Sequence, residues 1–253
     1  MSETGNVALG IDVGGTGIKG ALVDLDTGEL ASERFRLDTP QPAVPTEVED
    51  TIVAVAAHFD FEGPVGVAFP GVVLDGVVRT AANLHPDWIG VSFNELVGPR
   101  LRGPSVFLND ADAAGLAEAH FGAAKGTTGV VVIVTLGTGI GVALISDGRL
   151  VPNSELGHLV LDGVDAETYA AASARKRNGQ SWEEWAGHAE RYLRYLEDLV
   201  WPKLFVLGGG ITKNPEKWLQ YLNPRTPIVL ATNINNAGII GAADATRKHP
   251  PVE

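Results

Sequence analysis

Three glycine clusters, each directly after an apolar strand-like run, restrict this chain to a fold in which glycine turns follow β-strands. The clusters lie at residues 14–17, 137–141 and 208–210. The first two are followed by a second strand-like run, so each predicts a glycine-rich β-hairpin with a Gly-Thr-Gly turn. The runs are 7–13 and 18–25, then 130–136 and 140–146, and finally 203–207 before the third cluster. A shared hairpin pattern is only weak evidence for an internal duplication, because hairpins are common.

Glycine turns also expose backbone N–H groups, which bind phosphate oxygens because no side chain keeps the anion away. Each cluster alone is compatible with an ordinary tight turn, and only their recurrence favours phosphate binding. The first cluster, Gly14-Gly15-Thr16-Gly17, has neither the spacing of the dinucleotide fingerprint nor that of the P-loop. The sequence therefore predicts a phosphate-binding fold of a different type.

Composition excludes several classes of protein. The 253 residues carry a formal net charge of −12, which argues against a general nucleic-acid binder. The chain has no cysteine, so disulfides, thiolate metal sites and cysteine nucleophiles are excluded. No apolar run approaches the roughly 20 residues needed to span a bilayer, and residues 1–6 lack the features of a secretory signal. We therefore expect a cytoplasmic protein that binds neither membranes nor nucleic acid.

The remaining pattern predicts a mixed α/β chain, with antiparallel and parallel strands in the first half. An amphipathic helix over 181–201 begins at Ser181 as its N-cap, and its aromatic residues Trp182, Trp185 and Tyr192 are expected in the core. Asp110 and Asp112 suit the first turn of a helix over 110–124. The other predicted elements are strands at 29–37, 65–69 and 106–108 and helices at 45–59 and 236–247.

The first glycine cluster lies in a segment, residues 12–20, that resembles the first phosphate motif of sugar kinases with the hexokinase and actin fold. Further motifs are similar, in order and spacing, to those of the ROK (repressor, open reading frame, kinase) family. They are Asn109-Asp110, Leu136-Gly137-Thr138-Gly139-Ile140-Gly141, Glu155-Leu156-Gly157-His158 and Leu207-Gly208-Gly209-Gly210. Four ordered motifs make a specific signal that extends over most of the chain.

Within that family, the short length and three segments resemble the polyphosphate-using glucokinases of actinobacteria. The segments are 153–158, 165–167 and 182–184. Many ROK proteins carry a cysteine-rich zinc segment after the Glu-x-Gly-His motif, and this chain has no cysteine with which to build one. The resemblance therefore implies phosphoryl transfer from inorganic polyphosphate to the 6-hydroxyl of glucose, without zinc.

The same resemblance implies an α/β, two-domain, actin/hexokinase-like (ribonuclease H-like) fold with a cleft between its domains. The implied first domain contains residues 1–108 together with the returning helix at 234–253, and the second contains residues 109–233. Family members are usually dimers, so a homodimer is also implied.

Asp110 is implied as the general base that accepts the proton of the sugar hydroxyl, although composition alone favours a carboxylate capping a helix. A histidine such as His158, without its motif, is more often structural. The implied glucose contacts are Gly71, Asn83, Asn109, Asp110, Glu155, His158 and Glu167.

The phosphate donor is expected at the glycine turns. Asp12 is implied to orient Mg²⁺ through water, since this cation prefers oxygen ligands and keeps part of its hydration. A basic run at 175–177 is compatible either with a solvated helix end or with a binding site for a long anion. The implied donor contacts are Asp12, Gly14, Gly15, Thr16, Gly17, Lys19, Gly137, Thr138, Gly139, Gly209, Gly210, Arg175, Lys176 and Arg177.

Two alternatives to polyphosphate transfer remain open. The Gly208–Gly210 turn resembles the segment that contacts adenosine in related kinases, so ATP is an alternative or additional donor. Some ROK proteins are repressors that bind sugar without phosphorylating it, and a non-catalytic sugar sensor is the second alternative. Repressors carry a helix-turn-helix before the first phosphate motif, where this sequence has only eleven residues.

Overall fold

A computed structural model of the chain describes residues 6–81, 84–233 and 235–247. The strands are Val7–Val13 (β1), Gly17–Asp24 (β2), Phe35–Asp38 (β3), Val65–Phe69 (β4), Val73–Leu74 (β5), Val77–Val78 (β6), Ser105–Asn109 (β7), Val130–Leu136 (β8), Ile140–Ser146 (β9), Arg149–Val151 (β10), Val160–Leu161 (β11), Val164–Asp165 (β12), Leu204–Gly208 (β13) and Ile228–Leu230 (β14). The α-helices are Pro45–His58 (α1), Phe93–Leu96 (α2), Asp110–Phe121 (α3), Glu167–Ala170 (α4), Ala172–Arg177 (α5), Trp182–Val200 (α6) and Ala237–Asp244 (α7).

These elements form two compact units. The first unit runs to Ala117 and resumes at Asn235, whereas the second begins at Glu118 and ends before Asn235. The division by compactness falls within α3, and the predicted domain boundary after residue 108 stays a prediction.

Each unit contains one five-stranded sheet, and the two sheets have the same topology. The first has the order β3-β2-β1-β4-β7 and the second β10-β9-β8-β13-β14. In both sheets the first three strands are antiparallel, and the last two extend the sheet in parallel. The mixture of antiparallel and parallel pairing predicted for the first half is confirmed, and the same arrangement recurs in the second.

The first sheet presents different residues to its two faces. Alternate side chains of β1, including Leu9 and Ile11, share a buried apolar core with Ile52 of α1. The opposite face approaches the backbone of α7 so closely that a Cβ atom at Gly10 would lie 1.9 Å from the Ile239 carbonyl oxygen. Glycine is therefore required at residue 10, because a side chain there would push α7 away.

The second sheet is covered by α6, which begins as predicted. Ser181 accepts a hydrogen bond from the Glu184 N–H, and the Glu184 carboxylate accepts one from the Ser181 N–H, forming a capping box. Trp185 and Leu193 are fully buried on the face of α6 that packs in one core with Val132 and Val134 of β8. The predicted core position is thus confirmed for Trp185 and Tyr192, whereas Trp182 is only partly buried and packs against this core.

The predicted strand over 29–37 is wrong in its extent, because the ordered strand β3 covers only Phe35–Asp38. Upstream of it, a single isolated bridge joins Leu30 to Val23. The Ser32 hydroxyl accepts the hydrogen bond from the Leu22 N–H that a continuous ladder would use. This side-chain hydrogen bond interrupts the backbone pairing with β2 between Leu30 and Phe35.

Candidate active site

The predicted residues of the first unit lie at the carboxyl ends of its parallel strands. Asp12 is the penultimate residue of β1, Gly71 follows β4 after one residue, and Asn109 ends β7. Because β1, β4 and β7 run in parallel, their carboxyl ends share one edge of the sheet. Ligands of open α/β sheets bind at this edge.

In the turn at residues 14–16 the carbonyl groups are bound, while the amide groups of Gly15 and Thr16 are available. Its three carbonyl oxygens each accept a hydrogen bond from a side chain farther along the chain: Gly14 from Thr39, Gly15 from Gln41 and Thr16 from Arg36. Among the described residues, no group accepts a hydrogen bond from the N–H of Gly15 or Thr16. This arrangement directs partial positive charge outwards and suits an anionic oxygen.

Asp12 is held from two sides. Its carboxylate lies 3.1 Å from the Lys19 ammonium, and its side chain is 18% exposed. A Cβ atom at Gly238, in the first turn of α7, would lie 2.6 Å from the Asp12 carboxyl carbon. A partly exposed carboxylate beside a loop of N–H donors is the type of ligand that Mg²⁺ takes, so Asp12 fits the metal implied by the resemblance.

Asn109 and Asp110 are placed by the start of α3. The Asn109 carboxamide oxygen accepts hydrogen bonds from the N–H groups of Ala111 and Asp112, and its amide donates to the Gly71 carbonyl oxygen over 3.2 Å. An Asp110 carboxylate oxygen accepts from the Ala111 N–H over 2.8 Å. Asn109 therefore caps the helix and fixes the Gly71 turn, while Asp110 is oriented at the helix start.

The second unit repeats this arrangement at the loop after β8. The Gly137 and Thr138 carbonyl oxygens both accept hydrogen bonds from Ser173, one from its N–H and one from its hydroxyl. In the described part of the chain, the N–H groups of Thr138 and Gly139 have no hydrogen-bond acceptor. Both units thus present a glycine loop in which another segment binds carbonyl groups, at 14–16 in the first unit and at 137–138 in the second.

The third glycine turn lies beside the second, because β13 and β8 are parallel neighbours. Gly209 has a φ of 86°, and a Cβ atom there would lie 2.5 Å from the Leu136 carbonyl oxygen. Both features demand glycine. Gly210 then begins a 3₁₀ turn that ends at Lys213.

Glu155 and His158 lie on one 3₁₀ turn, with 3.9 Å between the His158 Nε2 and a Glu155 carboxylate oxygen. The other ring nitrogen, Nδ1, lies 3.0 Å from an Asp165 carboxylate oxygen. The hydrogen bond with Asp165 is the main cause that raises the pKa of His158 above its ordinary value, against the opposing effect of burial. All three side chains are about two-fifths exposed and therefore accessible to a ligand.

Glu167 contacts the glycine loop of its own unit. One of its carboxylate oxygens accepts a hydrogen bond from the Ile140 N–H over 2.9 Å. A Cβ atom at Gly139 would lie 2.3 Å from that carboxylate. The predicted sugar contact by Glu167 stays a prediction, and the structure adds a role in fixing the loop.

The basic run divides into three different environments. Arg175 stacks over the Trp182 ring at 4.0 Å, and Arg177 donates to the Thr168 carbonyl oxygen. Lys176 is exposed, and no contact of its ammonium is found among the described residues. Arg177 also reaches the Ser173 hydroxyl at 3.5 Å, which places it next to the residue that binds the loop at 137–138.

One predicted residue, Asn83, lies outside the described residues. Within the described ranges, no group of three or more His, Asp or Glu side chains is arranged to hold a metal ion. Likewise, none of the described helices is both long and apolar enough to cross a membrane.

Several residues at these sites were not predicted from the sequence. They are Arg36, Thr39, Gln41, Asp165, Ser173 and Gly238. Asp165 lies in the segment 165–167 that the resemblance singles out, only seven positions after His158. Its contact with His158 could therefore have been predicted from the sequence. The others act across long separations in the chain and carry no local pattern.

Comparison with known proteins agrees with these features. A sequence model of the ROK family matches residues 8–174. A protein of Mycobacterium tuberculosis named polyphosphate glucokinase is 51% identical over 239 residues, which cover 94% of this chain and 90% of the relative.

Solved structures give the same result. An inorganic polyphosphate/ATP-glucomannokinase from Arthrobacter sp. strain KM matches with a TM-score of 0.90 and 50% identity, covering 95% of this chain and 98% of that one. A ROK family glucokinase from Streptomyces griseus, solved with glucose and AMPPNP, matches with a TM-score of 0.78 and 26% identity over 94% of this chain and 98% of its own. The predicted actin/hexokinase-like α/β fold is thereby confirmed. With the sheets, the glycine loops and the family match in agreement, this chain belongs to the ROK family.

Proposed function

We propose that this protein transfers a phosphoryl group from inorganic polyphosphate to the 6-hydroxyl of glucose, giving glucose 6-phosphate. The observation that carries the proposal is the pair of glycine loops, in which other segments bind the carbonyl groups of residues 14–16 and 137–138. Among the described residues, the N–H groups at 15–16 and 138–139 have no acceptor, so they are available to a phosphate. The sequence identity of 51% with a polyphosphate glucokinase, over 94% of this chain, supports the choice of substrates.

Asp110 is the proposed general base. It accepts the proton of the glucose 6-hydroxyl as that oxygen bonds to the terminal phosphorus and the bridging P–O bond of the donor breaks. A base placed in this way contributes about 10²–10⁴ to the rate. The other proposed glucose contacts are Gly71, Asn83, Asn109, Glu155, His158 and Glu167.

The donor is proposed to bind the glycine loops through their N–H groups. Charge on the transferred phosphoryl group is spread over its oxygens, so fixed N–H donors stabilise the transition state. Mg²⁺, held by Asp12 through water, would neutralise further charge on the donor oxygens. Lys19 adds positive charge beside the same loop, and the Gly209–Gly210 turn extends the donor site of the second unit.

Replacing Gly238 by Ala is expected to raise severalfold the Mg²⁺ concentration needed for half-maximal activity. The new methyl group would displace the Asp12 carboxylate, which lies 2.6 Å from the position of that Cβ. Activity is measured against Mg²⁺ at saturating glucose. Gly187→Ala, in an exposed helix position with nothing within 4 Å, is the control. An unchanged Mg²⁺ dependence would remove Asp12 from the metal site.

A longer anion is proposed to follow the basic run at 175–177. Arg177 is the residue of this run proposed to contact the donor, because its guanidinium lies 3.5 Å from the hydroxyl of Ser173, which binds the loop. On a chain of net charge −12, a local group of cations attracts a polyanion at short range. Use of ATP is the alternative, because the similar glucokinase from Streptomyces griseus was solved with an ATP analogue.

The donor is tested by measuring glucose 6-phosphate formation with purified protein, glucose and Mg²⁺, comparing long-chain polyphosphate with ATP in parallel. We expect turnover with polyphosphate, with or without a slower reaction with ATP. Turnover with ATP alone would make the protein an ATP-dependent glucokinase. Glucose binding without turnover from either donor would support a sugar sensor.

A cytoplasmic homodimer is also proposed. Tyr195 and Leu199 of α6 are 43% and 52% exposed, and apolar groups of this size support an interface between copies. Sedimentation in solution distinguishes a monomer from a dimer.

A further inference from the structure

A short hairpin places Asp165 beside His158. Strands β11 and β12 pair with Val160 opposite Asp165 and Leu161 opposite Val164. The two turn residues, Asp162 and Gly163, have φ values of 53° and 79°, as a two-residue hairpin turn requires. The register brings Asp165 back to the segment that contains His158, although seven positions separate the two residues.

Both carboxylate oxygens of Asp165 are bound. One lies 3.0 Å from His158 Nδ1, and the other accepts from the Glu167 N–H over 2.8 Å. The Thr168 hydroxyl also donates to the Asp165 carbonyl oxygen over 2.6 Å. With its carboxylate fixed at both ends, Asp165 selects the histidine tautomer that carries a proton on Nδ1, leaving Nε2 towards Glu155.

The contacts continue from Asp165 to the phosphate loop. Glu167, whose N–H binds Asp165, uses its own carboxylate to accept from the Ile140 N–H. That amide directly follows Gly139, the last residue of the loop. Asp165 thus lies between the predicted glucose-binding histidine and the predicted donor loop, and it contacts groups leading to each.

Three carboxylates influence His158. Asp165 binds it, and Glu155 and Glu167 act on it through charge, from the 3₁₀ turn and from α4. Tyr192 of α6, whose hydroxyl donates to the Leu156 carbonyl oxygen, supports the same turn. The pKa of His158 is raised, so the neutral ring becomes the main form only at a higher pH than for an ordinary histidine.

We propose that Asp165 is a positioning residue for glucose, which holds His158 with its Nδ1–H bound so that Nε2 accepts a hydrogen bond from a sugar hydroxyl, and which steadies the donor loop through Glu167. The proposal rests on the proposed function and deepens it. Since the neutral ring is the acceptor, the apparent affinity for glucose rises as the pH increases through the pKa of His158.

The test is Asp165→Asn, which keeps the size of the side chain and removes its charge. We expect the KM for glucose to rise about tenfold, as on loss of a charge-assisted hydrogen bond, with a smaller change in kcat. The acid limb of the kcat/KM profile for glucose moves to lower pH, because His158 loses the carboxylate that favours its charged form. Asp162→Asn is the matched control, since Asp162 lies in the same hairpin, pairs with Arg191 and stays outside the network.

Equal KM and pH profiles for the two variants would overturn the proposal. If Asp165→Asn does not fold, the wild-type protein provides the second test by NMR of His158. Protonation at Nδ1 with a pKa above 6.5 supports the proposal, whereas an Nδ1 without its proton, or an ordinary pKa, overturns it. Failure of the proposed function is distinguishable, because the wild-type protein would then make no glucose 6-phosphate from polyphosphate.

Discussion

Asp110→Asn is expected to reduce kcat by about 10²–10⁴ while glucose still binds. The carboxamide cannot accept the proton that leaves the glucose 6-hydroxyl, but it is close to the carboxylate in size and retains an oxygen for the Ala111 N–H. Asn and Asp are nearly equal at helix starts, so the stability of α3 should change little. Turnover with polyphosphate and calorimetric binding of glucose measure the two effects separately.

The comparison with Asp165→Asn sharpens this test. One variant lowers kcat with glucose binding retained, and the other raises the glucose KM with a smaller loss of kcat. Undiminished turnover in Asp110→Asn would remove Asp110 as the base. Lost turnover together with lost glucose binding or a lower melting temperature would instead indicate a structural role at the start of α3.

Gly66→Ala is expected to destabilise the first unit by about 3 kcal/mol, the upper part of the usual range for overpacking. Gly66 lies on the face of β4 that approaches α7, and a Cβ atom there would lie 1.7 Å from the Ala242 carbonyl oxygen. Backbone on both sides leaves no flexible side chain to move away. The helix must therefore separate from the sheet, which also withdraws Gly238 from Asp12.

Gly187→Ala is the control, and it is expected to change the stability in the opposite direction. Gly187 lies within α6, is exposed, and has nothing within 4 Å of its absent Cβ. Alanine in an open helix position stabilises by roughly 0.5–1 kcal/mol. Thermal unfolding should show a lower midpoint for Gly66→Ala and a slightly higher one for Gly187→Ala. Equal midpoints would show that α7 does not pack against β4 as described.

Elements defined by local pattern were predictable from the sequence. The apolar runs at 7–13, 65–69, 130–136 and 140–146 coincide with β1, β4, β8 and β9. The predicted strand over 29–37 was too long because the Ser32 hydroxyl replaces a backbone carbonyl as the acceptor of a hydrogen bond. The periodicity of apolar residues carries no signal for such a replacement. The identical topology of the two sheets was only weakly indicated, since two similar hairpins do not determine the order of the remaining strands.

Site residues divide in the same way. Asp12, Asp110 and His158 belong to recognisable motifs and were identified as candidates. Ser173, which binds Thr138 across 35 positions, and Gly238, which packs on Asp12, act only once distant segments are folded together. Hydrogen bonds and close contacts of this kind depend on tertiary packing, so one sequence does not contain a local signal for them.

The return of α7 to the first unit affects the order in which the chain can fold as it is synthesised. Domains usually fold from the amino terminus as the polypeptide emerges. Here the continuous second unit is complete once residue 234 has left the ribosome, whereas the first still lacks the helix that packs on β1 and β4. Asp12 meets Gly238 only after the last helix emerges, so the nascent chain acquires the loop at 137–139 before it acquires a supported loop at 14–16.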